Sequence, residues 1–225
     1  ILGGLSFLAL YMAGTTLNDI FDFEEDKINM PYRPLQKEII SINEAYIFSI
    51  ILYLIGILIS YSLGSLILLI ATIFIVLSFL YSVEPAKFVK RGILGNIVLG
   101  IVSIFLPAMA GIITIAGKIQ TLEIILLLTL TIFFIGISLF KDFKDMEGDK
   151  GKRKTIAIKF GKQKTTLLGL IISTPFFIIF ITTLIMIKQN LTYFLFIISL
   201  IPLTHLKLKN YPTKQEHKRF THVRL

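Results

Sequence analysis

Between Ile47 and Leu80 the chain carries no charged side chain, and no other feature restricts its fold so strongly. Gly64 divides that stretch into two blocks, each long enough to cross a bilayer core of about 30 Å as a helix. In lipid, only helices and closed barrels satisfy their own backbone donors and acceptors. Reading the remaining apolar blocks against Gly, Pro and charge predicts seven helices, at 1–18, 43–61, 64–82, 93–116, 121–140, 164–187 and 190–206. The alternation of a transmembrane barrel strand is absent, so the expected fold class is an all-α membrane protein. Composition agrees. The mean hydropathy is +0.81 and 16% of residues are charged, against about 25% in soluble domains.

Alternating the connections between two sides of a membrane sorts the charge. One side receives every Lys and Arg except Lys118 and Lys188, and every acid except Glu123. The positive-inside rule makes that side cytoplasmic, with a prokaryotic plasma membrane the expected location. No charge falls near the middle of any predicted span, where ion-coupled transporters and proton pumps bury theirs. The chain has no Cys, which excludes thiol chemistry, and its His residues, 205, 217 and 222, all lie near the C-terminus. The basic residues follow the topology rule, so the net charge of +9 does not point to nucleic acid. No obligate protein partner is implied either.

Two charged segments match each other. NDIFDFEEDK, residues 18–27, places five acids in ten positions where the first span ends, and KDFKDMEGDK occupies 141–150. Aligned without gaps, Asp19, Asp22, Glu24, Asp26 and Lys27 meet Asp142, Asp145, Glu147, Asp149 and Lys150. Basic residues follow each copy: Arg33 and Lys37 in one case, Lys152, Arg153 and Lys154 in the other. On a helix, Asn18, Asp22 and Asp26 share a stripe with Asp19 beside it, and Asp142, Asp145 and Asp149 share another. Like charges at such spacing cost a helix about 0.2–0.5 kcal/mol per pair, so something must offset them. A hard divalent cation favours all-oxygen donors, and Mg²⁺ is usually held by carboxylates together with phosphate oxygens. Two such stripes suit metal ions bridging a diphosphate, with Lys and Arg on its other oxygens. Three other readings stay open: solvated acidic loops, a transporter with an acidic vestibule, and a basic membrane-surface module binding anionic lipid.

These residues resemble a known family. Asn18-Asp19-x-x-Asp22-x-x-x-Asp26 followed by KINMPYRPL is similar to the first aspartate motif of the UbiA-type intramembrane prenyltransferases. LFKDFKDMEGDKGKRKTIAIKFG, residues 139–161, is similar to their second, and YSVEPAKFVKRGILGN, residues 81–96, to the loop between them. The resemblance implies a ring of nine transmembrane helices. Seven are expected here, in a single domain over 1–225, as a fragment without the family's first and ninth helices. It implies Mg²⁺-assisted transfer of a polyprenyl group from its diphosphate to a lipid or aromatic acceptor.

Carried over by position, metal binding is expected of Asn18, Asp19, Asp22, Asp26, Asp142, Asp145 and Asp149. Contact with diphosphate is expected of Arg33, Lys87, Lys90, Arg91, Lys141 and Arg153. Asp22, Asp145, Arg33 and Tyr81 would bear on catalysis, Tyr81 as an aromatic face beside the allylic cation. Asn96 would either touch the acceptor or make a helix-packing hydrogen bond. The text of both motifs is most similar to archaeal digeranylgeranylglyceryl phosphate synthases, which implies geranylgeranylglyceryl phosphate as acceptor. Quinone-, homogentisate- and chlorophyll-directed members share much of that text, and QKEII at 36–40 departs from the usual pattern.

Overall fold

The structure is a computed structural model and describes residues 1–143, 146, 151 and 154–186. Among them there is no strand. The predicted apolar blocks are helices α1 (Leu2–Phe21), α3 (Ile42–Leu63), α4 (Ser65–Ser82), α5 (Ile93–Gly100) continued by α6 (Leu106–Ala116), α7 (Thr121–Ser138) and α8 (Ile156–Met186). A short α2 (Phe23–Asn29) carries the acidic run. The block expected at 190–206 lies outside the described residues. Five helical stretches, Ile42–Leu63, Ser65–Ser82, Ile93–Ala116, Thr121–Phe143 and Ile156–Ile185, are long and apolar enough to cross a membrane. Chain contacts define one compact unit, Ile1–Phe180, and a second, Ile181–Leu225; the first acidic motif and the loop between α4 and α5 belong to the first unit.

Local chemistry sets the helix ends. Ser41 and Glu44 form a reciprocal capping box at the start of α3, as Gln120 and Glu123 do for α7, satisfying backbone donors that a helix start leaves orphaned. Gly64 at φ 120° makes the tight turn from α3 into α4, and Gly117 at φ 73° closes α6 in the left-handed region, where a Cβ is penalised. Between α5 and α6, residues Ile101–Phe105 form a π-helical turn. Pro107 explains its place. The proline nitrogen cannot donate to the Ser103 carbonyl, so the regular ladder is broken one turn before it.

Helix packing relies on small and hydroxylated residues, as it does where lipid supplies no hydrophobic drive between helices. Ser6 Oγ donates to the Gly56 carbonyl at 2.8 Å and lies 2.7 Å from Ser60 Oγ, while Ser49 Oγ donates to the Ala13 carbonyl at 2.9 Å. Together they draw α1 onto α3. A Cβ on Gly56 would stand 2.5 Å from Leu10 Cγ, so no larger residue fits that crossing without movement. The core runs through Phe7 and Leu10 of α1, Ile70 and Phe74 of α4, and Val98 and Leu106 of α5 and α6. Phe7 meets Phe74 edge to face at 5.8 Å. On the far side Gly136 and Gly169 let α7 and α8 approach closely. Ile47, Ile50, Leu54 and Leu58 remain exposed along α3, a face suited to acyl chains.

Two boundaries differ from those expected from sequence. Helix α1 runs to Phe21 instead of stopping at 18, because the acidic run keeps the helical ladder: Asp22 N–H donates to Asn18 O at 2.9 Å and Asp26 N–H to Asp22 O at 2.8 Å. Helix α8 begins at Ile156, but non-helical Gly161 parts a first helical stretch from the long run, which starts close to the expected 164. Its first residues are basic and read as loop, yet Ala157 and Thr165 are buried, and Gly161 at φ 75°, ψ 169° breaks the helix within this stretch.

Candidate active site

The acids of the first motif are set on a bent helix end. Asp22, at φ −100° and ψ 13°, is the hinge between α1 and α2. Asn18 Nδ2 donates to Asp22 Oδ2 at 3.1 Å, and beyond the bend Asp26 N–H donates to the Asp22 carbonyl at 2.8 Å. After α2 the chain turns back, and Arg33 reaches over the stripe. One guanidinium nitrogen donates to Asp19 Oδ1 and to Asp26 Oδ2, the latter at 2.6 Å. A single cation thus bridges two carboxylates that would otherwise repel one another.

The loop between α4 and α5 supplies the other cations. Lys87 sits at φ 31°, a left-handed conformation rare for a residue with a side chain and one that recurs at functional sites. Its ammonium is 3.2 Å from Asp22 Oδ1 and donates to the Phe21 carbonyl at 2.9 Å. Asp22 is 3% exposed and Lys87 5%, so this ion pair lies inside the protein. Lys90 Nζ lies 3.5 Å from Glu25 and 3.4 Å from Glu84. Arg91 turns back on its own loop, donating to the Pro85 carbonyl at 2.6 Å.

The second motif approaches the same region. Lys154 N–H donates to the Lys90 carbonyl at 3.1 Å, which joins the segment after α7 to the loop before α5. Lys141, in the 3₁₀ turn Leu139–Phe143, donates to the Tyr81 hydroxyl at 2.7 Å, with its ammonium 5.4 Å from the ring centroid. Asp142 is half-buried in that turn. Asp145, Asp149 and Arg153 lie outside the described residues. Asn96, 2% exposed, donates from Nδ2 to Ser138 Oγ at 2.8 Å, a bond between α5 and α7. Three connections that are distant in sequence therefore meet at one end of the helices.

Whether these residues suit a divalent cation is a question of donor chemistry. Asn18, Asp19, Asp22 and Asp26 offer carboxylate and amide oxygen alone, a set for a hard ion and not for a soft one. Among the described residues no three acids or histidines stand close enough to hold an ion by themselves. Arg33 and Lys87 are paired with the carboxylates of the first stripe, and Asp145 and Asp149 of the second are not described. The donor types fit. Glu25 is not among the residues expected from sequence, although it is buried and faces Lys90. Its signal is present there, since it stands three residues after Asp22 and seven after Asn18, on the same helical face.

The model of the UbiA prenyltransferase family matches residues 1–224. The chain belongs to that family. Similar curated members of the UbiA family include the digeranylgeranylglyceryl phosphate synthase of Sulfolobus acidocaldarius, 35% identical over 162 residues, or 71% of this chain and 56% of that protein. Proteins of the same name from Pyrococcus horikoshii and Methanocaldococcus jannaschii are 31% and 35% identical, over 83% and 67% of this chain and 66% and 51% of theirs. The chain thus spans only about half to two thirds of these relatives' lengths. A solved structure described as "Structural and mechanistic insights into the biosynthesis of Digeranylgeranylglyceryl phosphate synthase in membranes" is 28% identical and covers 98% of this chain and 87% of that one, with a TM-score of 0.57. As in the rest of the UbiA family, the architecture is an all-helical membrane fold.

Proposed function

We propose that the protein transfers a polyprenyl group from its diphosphate to a membrane lipid acceptor, geranylgeranylglyceryl phosphate, in ether-lipid synthesis. The names of the similar proteins support the acceptor. The reaction class rests on one observation above all: Asn18, Asp19, Asp22 and Asp26 gathered with Arg33, Lys87 and Lys90 at one end of the helices. That end is taken as the cytoplasmic face of a prokaryotic plasma membrane.

The chemistry separates charge. The allylic C–O bond breaks with its electron pair leaving on diphosphate. The free glycerol hydroxyl of the acceptor then bonds to the prenyl carbon and loses its proton. When bound, Mg²⁺ neutralises charge gathering on the leaving group. Asn18, Asp19, Asp22 and Asp26 would hold it, with Asp142, Asp145 and Asp149 from the second motif. Arg33 and Lys87 are each shared between a carboxylate and an incoming phosphate, so they change partners as the diphosphate seats. Lys90, Arg91, Lys141 and Arg153 add charge-assisted donors. Lys141 fixes Tyr81, whose aromatic face borders the cation, and the apolar helix walls keep water from it. Asn96 holds α5 to α7 behind that wall.

An acceptor screen tests the substrate. The intact protein is incubated with Mg²⁺ and labelled geranylgeranyl diphosphate against geranylgeranylglyceryl phosphate, homogentisate, 4-hydroxybenzoate and a naphthoate. Label is expected in the doubly prenylated glyceryl phosphate. Label in an aromatic product alone would assign the protein to the aromatic branch of the family.

A further inference from the structure

The cations at the cytoplasmic end are not treated alike. Arg91 donates to the Pro85 carbonyl, but most of those in the first loops have acidic partners: Lys27 with Glu24, Arg33 with Asp19 and Asp26, Lys87 with Asp22, and Lys90 with Glu25 and Glu84. Those at the start of α8 do not. Lys154, Lys159, Lys162 and Lys164 are exposed, and none forms an ion pair among the described residues. Sequence makes the contrast sharper, because no Asp or Glu occurs between Asp149 and Glu216. Topology asks only for positive charge on this side; it does not ask that one segment go unpaired among the described residues.

The surroundings of these lysines fix their depth. Lys164 stands three residues before Leu167 and seven before Ile171, on one face of the helix. Both apolar side chains are 59% exposed, and they lie in a stretch able to span the bilayer, so that face meets acyl chains. Phe160 is 41% exposed, with the Lys159 ammonium 5.1 Å from its ring centroid. An aromatic ring flanked by lysines, just before a lipid-facing stripe in the chain, is the composition of a headgroup-level anchor, where long cationic side chains reach outward from an apolar stem.

We propose that Lys159, Lys162 and Lys164, with Phe160 between them, form a binding surface for anionic phospholipid headgroups at the start of α8. Bilayer phosphates are the counter-ions that no described acid supplies. The surface is distinct from the acidic site and does not depend on the proposed reaction.

The chain contains no Trp, so Phe160→Trp introduces a reporter at this position. The variant is reconstituted in vesicles of zwitterionic lipid containing increasing fractions of brominated phosphatidylglycerol or brominated phosphatidylcholine, and quenching is measured. Brominated phosphatidylglycerol is expected to quench at fractions at least about fivefold lower, the preference for anionic lipid that a single lysine near the surface contributes. In K159Q/K162Q/K164Q the two quenchers should act alike, whereas Lys118→Gln, at the opposite end, should leave the preference intact. Salt at 1 M, where screening acts over about 3 Å, should abolish it without any substitution. Equal quenching by the two lipids at low salt would overturn the proposal, as would a preference that survives the triple substitution.

Discussion

Asp22→Asn is expected to lower prenyl transfer by about 10³-fold, the scale on which removal of one preorganised electrostatic contact to a developing charge is felt. Asp22 is the hinge of the acidic stripe, held by Asn18 on one oxygen and facing Lys87 on the other. Asparagine keeps the size and one oxygen but removes the charge that holds a hard cation. The loss should appear in turnover, measured as initial rates with labelled prenyl diphosphate in protein that elutes as a single folded species. Raising Mg²⁺ should restore only part of it. Wild-type turnover in this variant would remove Asp22 from the reaction.

Lys87→Met carries the second large effect, on stability. Both members of the Lys87–Asp22 pair are almost fully buried. Removing one partner strands the other's charge, at a cost of about 3–5 kcal/mol. The unfolding midpoint in detergent should therefore fall well below wild type. The double variant D22N/K87M removes both charges and should regain most of the loss, because neutral side chains of similar size replace a buried pair at little net cost. It should remain inactive. If Lys87→Met melts with wild type, the ion pair contributes nothing to the fold; if the double variant is no more stable than the single one, the two residues are not coupled.

How far these features are legible in the sequence depends on the range of the interaction. Apolar runs bounded by Gly64 and Gly117 are local signals, and the helices follow them. The acidic stripe is legible because i, i+4 spacing is also local, and the same rule reaches Glu25. Pairing across the chain stays hidden. By residue type alone, basic residues go to phosphate and acids to metal, whereas Arg33 bridges Asp19 and Asp26, and Lys87 reaches Asp22 from a loop beyond α2, α3 and α4. Such contacts exist only once α1, α4 and α5 have packed. The start of α8 is obscured for a related reason. Lysines at 159 and 162 look like loop in sequence, with the helix expected only from 164, yet they extend outward from helical segments whose Ala157 and Thr165 are buried. The π turn at Ile101–Phe105 follows from Pro107, a signal that is itself local.

In the proposed mechanism, oxygen donors at this membrane face serve a metal-assisted departure of diphosphate. The most direct test is transfer of label from geranylgeranyl diphosphate by the intact protein, before and after chelation with EDTA and then with Mg²⁺ restored. Transfer is expected to fall to background on chelation and to recover on titration with Mg²⁺. Undiminished transfer in EDTA would contradict that mechanism.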